Sequence, residues 1–266
     1  MYRSNRSGFR PSPVFLGILA AAILGGVLLT VSTRSAASMT ALIEGGTVLL
    51  VLAGWAVTLC LHEFAHALVA YRGGDRGVAD QGYLTLDIRR YTHPVLSLVL
   101  PLIFLLMGGI PLPGGAVWIN HYLLRSRRVE SMVSLAGPAT NLIIGVLLTV
   151  CVKLAFPLDA AYFSPLAQAL SFLALLQILS FVLNILPVPG LDGFGVIEPW
   201  TSPNVRRFAG QVRQWMPFLV FALMIGFMPF QNAFFGASYW IFDHIGGNGS
   251  LAAAGYSSFM AWLPPL

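Results

Sequence analysis

Charged side chains are scarce in this sequence. They make up 9% of the 266 residues, whereas about 25% is usual in a soluble globular domain. Hydrophobic residues make up 57%, and the mean hydropathy is +0.78. A chain with so little charge is expected to be an integral membrane protein.

Lysine and cysteine are also rare. Of the 15 basic residues, Lys153 is the sole lysine and the others are arginines. The arginines stand in short clusters between apolar runs, so no basic face suited to nucleic acid is expected. Such clusters are typical of loops that set membrane topology. The two cysteines, Cys60 and Cys151, both lie in apolar runs and indicate no disulfide framework.

Six runs without charge divide the chain. Each is long enough to cross a bilayer once the second is continued through residue 71, and they cover residues 13–31, 45–61, 94–120, 131–152, 160–191 and 214–242. The pattern predicts an all-α polytopic membrane protein with about six transmembrane helices. It also predicts a single domain over residues 1–266. Its core spans 45–195, and the first helix (13–31) and the C-terminal helices (214–245) are peripheral.

The arginines predict the orientation of this domain. With the N-terminus in the cytoplasm, all basic residues except Arg34 and Lys153 fall on the cytoplasmic side, as the positive-inside rule requires. The run 13–31 is longer than the apolar part of a signal peptide, which favours a retained helix. Localisation in the plasma membrane of a cell is expected.

Two runs have a less regular pattern. Arginines flank the run 94–120 on both sides, so we expect a re-entrant hairpin broken at GGIPLPGG. The run 214–242 contains Pro217 and Pro229 and fits either one tilted span or two shorter helices. The side of the C-terminus therefore stays open.

Two short segments favour β-strands. GYLTLDI (82–88) alternates in hydropathy, and GAVWIN (115–120) is rich in β-forming residues after a Pro-Gly turn. Both are predicted to lie on the cytoplasmic side of the membrane, near the segment described next.

The segment HEFAH (62–66) places ionisable groups inside an apolar run. On a helix, His62 and His66 are one turn apart, so both imidazoles can bind one zinc ion. Glu63 is placed to accept a proton from a water on that ion. A satisfied histidine pair in the helix core is the alternative, but ionisable residues within a membrane span are functional by default.

A catalytic zinc site needs a third protein ligand, with water in the fourth position. Asp192 stands out among the candidates because it ends NILPVPGLDG, at the same expected depth as HEFAH. The motif is equally typical of an ordinary turn. The other candidates are Asp75, Asp80, Asp87, His93, His121, Asp243 and His244.

Three motifs in order resemble the site-2 protease family of intramembrane zinc metalloproteases. They are HEFAH, AGPATN (136–141) and NILPVPGLDG (184–193), and the likeness covers about residues 56–195. It indicates a compact prokaryotic type without a PDZ domain. One position departs from related motifs: Gly190 stands where proline is frequent, which we expect to loosen the turn before Asp192.

The resemblance implies a role for each matching residue. His62, His66 and Asp192 would bind one Zn²⁺ per chain, and Glu63 would be the catalytic base. Asn141 and Asn184 would lie near the substrate. The expected partners are the lipid bilayer and a transmembrane protein that is cleaved within or near its membrane segment, at an active site facing the cytoplasm.

Two other classes of function remain as alternatives. A prenyl-protein endopeptidase is disfavoured because its third ligand is typically a glutamate on a helix, whereas Glu130 and Glu198 are expected in loops. A non-catalytic zinc-binding scaffold or a metal transporter is the second alternative. A transporter would carry further ligands along a path through the membrane, and the sequence has one cluster. Oligomeric state is not indicated by any feature.

Overall fold

The computed structural model describes residues 10–32, 39–91, 117–157, 160 and 162–261. These ranges form helices joined by short turns. The α-helices are α1 (Pro13–Ser32), α2 (Met39–Gly73), α3 (Gly77–Asp80), α4 (Ile88–Tyr91), α5 (Arg127–Ala155), α6 (Pro165–Asn184), α7 (Asp192–Ile197), α8 (Pro203–Val212), α9 (Met216–Gly226), α10 (Met228–His244) and α11 (Gly249–Met260). Single 3₁₀ turns occur at Tyr83–Thr85, His121–Leu123 and Glu198–Trp200. Helices satisfy every backbone hydrogen bond internally, which a lipid environment requires.

Four helices, α1, α2, α5 and α6, are long and apolar enough to cross a membrane. The helices α8 and α9, bent by 67° at the break between them, make a fifth span if they count as one. The prediction of a helical membrane protein is confirmed, but six spans are not. Of the hairpin predicted for 94–120, residues 94–116 lie outside the described residues.

The run 214–242 forms two helices, α9 and α10, rather than one tilted span. The start of α9 lies near the turn before Asp192, because a Cβ on Gly190 would touch Pro217. The end of α10 lies near the end of α5, because Gly246, just after α10, is beside Lys153. The two helices together therefore run from one end of the bundle to the other, with a break at Phe227.

Helix α6 is the centre of the bundle. In the most apolar 18-residue stretch of α6, 78% is buried, compared with 22% in that of α1. Lipid would therefore face much of α1. Helices α2 and α5 pack on α6, and their contacts are close. A Cβ on Gly145 of α5 would lie 2.7 Å from Cδ1 of Ile178. Small residues at such crossings let membrane helices approach.

The prediction of a strand at 82–88 is wrong. Gly82 has a φ of +79° and Leu86 a φ of +56°, and Thr85 N–H donates to the carbonyl of Gly82 over 3.2 Å. These local bonds close a 3₁₀ turn followed by α4, and alternating hydropathy does not reveal them. Of the segment 115–120, the described residues 117–120 have no regular secondary structure and pair with no strand among the described residues.

Candidate active site

The structure brings together His62, His66 and Asp192. The two Nε2 atoms are 3.1 Å apart. Oδ2 of Asp192 lies 3.2 Å from Nε2 of His62 and 3.4 Å from Nε2 of His66. Both histidines are buried, and they lie in the last third of α2. Three donor atoms therefore converge on one point between α2 and α7.

The ring of His66 is held by helix α5. Its Nδ1 lies 2.6 Å from the backbone carbonyl of Val133, so Nδ1 carries the proton and donates. This bond leaves the Nε2 lone pair directed at the point shared with His62 and Asp192. A second hydrogen bond of this kind commonly orients a metal-binding histidine.

Gly137 allows α5 to pass close to the two histidines. A Cβ on this residue would overlap Nε2 of both His62 and His66. The next residue, Pro138, is buried inside the helix and has no N–H, so it cannot bond to the carbonyl of Ser134 one turn earlier. The absence of a side chain at Gly137 thus lets the helix backbone lie against the donor atoms.

Asp192 is the first residue of α7, a short helix held against α5. The Ser131 hydroxyl donates to the carbonyl of Val196 over 2.7 Å, and Trp200 Nε1 donates to Ser131 over 2.9 Å. A Cβ on Gly195 would lie 2.5 Å from the Ser134 hydroxyl, so the two helices are in direct contact. The start of α5 therefore fixes the depth of the Asp192 carboxylate.

From the sequence, Gly190 was expected to loosen the turn before Asp192. The structure shows instead that this turn requires a glycine. Its φ is +99°, a value that proline, locked near −65°, cannot adopt. A Cβ there would also lie 2.6 Å from the carbonyl oxygen of Arg213. The turn thus packs tightly against the start of α9.

The three donors fit a zinc ion. A tetrahedral zinc with ligands about 2.0–2.1 Å away has ligand atoms about 3.3–3.4 Å apart, close to the three separations given above. The space that a Cβ of Gly137 would occupy is the space beside both Nε2 atoms. Two neutral imidazoles and a carboxylate are also a donor set that zinc favours.

The Asp192 carboxylate has the charge that this site requires. Burial would raise its pKa, but His66 and His62 facing Oδ2, when their imidazoles are protonated and no ion is bound, outweigh that effect and hold the pKa of Asp192 below the ordinary value. The group is therefore ionised and able to bind a cation.

Glu63 lies beside the three donors and is 3% exposed. It faces a cavity of about 280 Å³, to which His62, His66 and Asp192 also contribute. Val117 lines the same cavity as Glu63. A buried carboxylate at the edge of a polar cavity, next to a metal site, is positioned to exchange protons with a molecule in that cavity.

Of the two asparagines predicted to lie near substrate, Asn184 lines the cavity and Asn141 does not. Asn184 is 3% exposed and Asn141 is 5% exposed. Asn141 lies one turn beyond Gly137 on α5. Its predicted contact with substrate stays a prediction.

The other candidates for third ligand are placed elsewhere. His121 lines the cavity but its Nδ1 lies 3.0 Å from Glu130 Oε1. Asp75 accepts hydrogen bonds from backbone N–H groups, and Asp87 pairs with Arg89. His93 is outside the described residues. In the described part of the chain, His62, His66 and Asp192 are the one group of three with metal-binding geometry.

Two cavity residues were missed by the sequence analysis. Arg213 Nη2 donates to both carboxylate oxygens of Glu198, over 3.0 and 2.8 Å, and both residues line the cavity. This ion pair joins the turn after α7 to the end of α8. Its one sequence signal was the position of Glu198, six residues after Asp192.

The bundle of apolar helices holds two histidines one turn apart, an adjoining glutamate and a distant aspartate. This combination defines a zinc metalloprotease of the membrane. Comparison with known proteins agrees. The chain is 45% identical over 253 residues to "Putative zinc metalloprotease Rip2" of Mycobacterium tuberculosis, which covers 94% of each protein. It is 42% identical over 262 residues to the Rip2 protein of Mycolicibacterium smegmatis, covering 98% of this chain and 97% of that one.

A more distant relative is "Putative zinc metalloprotease YwhC" of Bacillus subtilis, 34% identical over 178 residues, which are 63% of this chain and 76% of that protein. The chain belongs to the site-2 protease family of zinc metalloproteases. No protein-family model and no solved structure matches it.

Proposed function

We propose that this protein is an intramembrane zinc endopeptidase that cleaves other membrane proteins within or near their transmembrane segments. The observation that carries the proposal is the convergence of His62, His66 and Asp192 beside the buried carboxylate of Glu63. The site lies on a membrane-spanning helix, so the peptide bond it acts on is expected at membrane depth.

His62, His66 and Asp192 would hold one zinc ion. Bound there, zinc would acidify water and polarise a peptide carbonyl. Glu63 accepts the proton of the attacking water on its carboxylate and delivers it to the leaving amine. The amide of Asn184, in the cavity wall, is placed to bond to the substrate backbone and hold the reacting carbonyl.

The substrate helix must unwind before cleavage, because a helical peptide bond is shielded by its own hydrogen bonds. Residues 117–120 have no regular secondary structure, Asn120 has an extended backbone, and Val117 and Ile119 line the cavity. We infer that the unwound segment lies along these residues. Trp118→Pro is expected to reduce cleavage and leave zinc content unchanged, and unchanged cleavage in this variant would contradict the inference.

The active site is proposed to face the cytoplasm. Arg72 and Arg128 lie at the same end of the bundle as the cavity, at the end of α2 and the start of α5. Arg206 and Arg207 lie on α8, and Arg213 directly follows it. Basic residues concentrate on the cytoplasmic face of membrane proteins.

The test measures zinc content and cleavage together, with protein reconstituted in vesicles beside a transmembrane substrate. Wild type and Glu63→Gln are expected to hold about one zinc, because Glu63 is not a ligand. Glu63→Gln is expected to lose cleavage by at least about 100-fold. Asp192→Ala is expected to lose both. Full zinc in Asp192→Ala would refute the ligand set, and cleavage by Glu63→Gln would refute the catalytic role.

A further inference from the structure

A second cavity lies at the end of the bundle opposite the active site. Its volume is about 420 Å³, and it is enclosed by α5, α6 and the turn between α10 and α11. Thr149, in its wall, follows Gly137 by three turns of α5, or about 18 Å at 1.5 Å per residue. This distal cavity is therefore separate from the metal site and takes no part in its chemistry.

The distal cavity contains buried polar groups. Thr149 and Ser171 line it and are 5% and 4% exposed. The Thr149 hydroxyl has no hydrogen-bond partner in the described part of the chain. Buried polar groups are normally bonded to protein, water or a ligand, so this hydroxyl indicates that the cavity holds a molecule with a hydrogen-bonding group.

The mouth of the distal cavity is positively charged. Lys153 lies one turn beyond Thr149 on the same face of α5, is exposed, and is in no ion pair with the residues that the structure describes. Its ammonium lies against Gly246, where a Cβ would be 3.3 Å away. Helix α11 begins at the same rim, with Asn248 as its N-cap, and directs the positive end of its dipole there.

The remaining walls are apolar and include Val152, Phe156 and Phe242. From the mouth inward, the distal cavity thus presents a cation, then neutral hydroxyls about 6 Å deeper, with apolar side chains around them. The same order occurs in a phospholipid at a membrane surface: a phosphate, ester carbonyls below it, and acyl chains.

We propose that the distal cavity binds the headgroup and ester region of an anionic phospholipid. The phosphate pairs with Lys153, and the ester carbonyls accept hydrogen bonds from the Thr149 and Ser171 hydroxyls. Because Lys153 is paired with no acidic residue in the described part of the chain, a net-negative headgroup neutralises this site, whereas a zwitterionic headgroup adds its own cation. Basic pockets between membrane helices bind anionic headgroups by the same physics.

The test is native mass spectrometry of the full chain in detergent, with phosphatidylglycerol or phosphatidylcholine added at equal concentration. Wild type is expected to retain phosphatidylglycerol at least about fivefold better, the effect of one lysine near an anionic headgroup. Lys153→Gln should abolish the preference and Lys153→Arg should restore it. Thr149→Val, which removes the hydroxyl at nearly constant volume, should weaken retention of both lipids.

Arg128→Gln is the matched control, because Arg128 is an exposed cation at the other end of the same helix and should keep the preference. Zinc content equal to wild type would verify that each variant is folded. An equal preference in wild type and Lys153→Gln would overturn the proposal. Displacement of the lipid by inorganic phosphate alone would contradict the proposal and assign the site to a free anion. Equal retention of the two lipids by wild type would also contradict it and indicate that the cavity holds only water.

Discussion

At the scale of single residues, the candidate metal centre depends on a missing side chain. Gly137 contributes no ligand, yet it faces Nε2 of both histidines more closely than a Cβ permits. Neither the histidines nor α5 can move away easily, because His66 is bonded to Val133 in that same helix. The size of residue 137 therefore decides whether an ion fits.

Gly137→Ala is expected to lose zinc and cleavage together, because its methyl group would fill the space beside the two Nε2 atoms. Zinc per chain, measured after purification, checks the prediction. Gly45→Ala is the matched control, since Gly45 lies in helix α2 with open space around its Cβ position. Full zinc in Gly137→Ala would show that α5 can shift away from the histidines.

Asp87 offers a test by pH at the residue scale. Hydrogen bonds from Arg89 hold the pKa of Asp87 below the ordinary value, through Nε at 2.9 Å and Nη2 at 2.7 Å. A lowered pKa in the folded state means that the pair stabilises the fold above the ordinary pKa and that this contribution is lost as pH falls.

The difference in melting temperature between wild type and Asp87→Asn should be constant from neutral pH down to about pH 5 and shrink below about pH 4. Thermal unfolding in detergent, followed by tryptophan fluorescence, measures it. Asp80→Asn is the control, because Asp80 is exposed in the same segment. A difference that grew toward acid would contradict the assigned direction.

At the scale of elements, the segment at the end of α2 holds residues 117–120, which border the cavity. Asp75, which is 2% exposed, accepts from Asn120 N–H over 2.8 Å and from Gly77 N–H over 3.0 Å. Arg125 N–H donates to the carbonyl of Gly73 over 3.0 Å. The helix that carries the two histidines thus also positions Val117 beside Glu63.

Asp75→Ala is expected to lower kcat about tenfold and leave zinc content unchanged. The Asn120 N–H loses its charged acceptor, and a hydrogen bond to a charged group contributes about 1.5–3 kcal/mol, which is enough to release residues 117–120. Cleavage kinetics beside zinc content measures the effect. Asp80→Ala should behave as wild type, and a loss of zinc in Asp75→Ala would instead indicate damage to α2 itself.

The elements that sequence predicted well are those with a local cause. The position of HEFAH on a helix follows from the apolar run around it, and so does the shared face of His62 and His66. The turn at 82–88 was missed because its two left-handed residues are not visible in alternating hydropathy. Sequence position made Asp192 stand out among the candidates, but the motif was equally typical of an ordinary turn. The resemblance to the family singled it out, and its approach to α2 depends on how α5 and α7 pack.

The ion pair of Glu198 with Arg213 could not be predicted from local sequence, because the position of Glu198 after Asp192 was its one signal and the partner lies beyond α8. The same is true of Gly190, whose φ follows from contact with Arg213 and Pro217. Contacts between elements that are distant in sequence decide these features, and a single sequence carries no direct record of them.

At the scale of the whole molecule, charge is distributed unevenly along the bundle. The cavity with Glu63 opens at the end that carries Arg72, Arg128 and Arg206, and Lys153 lies at the other end. This asymmetry supports the orientation proposed above, with the active-site end at the negatively charged interior surface of the membrane.

The orientation predicts which positions a membrane-impermeant thiol reagent reaches in intact cells. In a chain with Cys60 and Cys151 replaced by serine, Lys153→Cys should be labelled from outside, and Arg128→Cys only after the cells are opened. The same helix carries both positions, so each is the control for the other. The reverse pattern would place the active site outside the cytoplasm.

The ligand set also has a mechanical consequence for the fold. His66 and Asp192 are separated by nearly half of the chain, so an ion bound by both acts as a cross-link that closes a very long loop. Closing a long loop removes more freedom from the unfolded chain than closing a short one, and a site absent from that chain binds only the folded state. The catalytic ion would therefore also be a structural one, and a chelator would lower resistance to unfolding as well as cleavage.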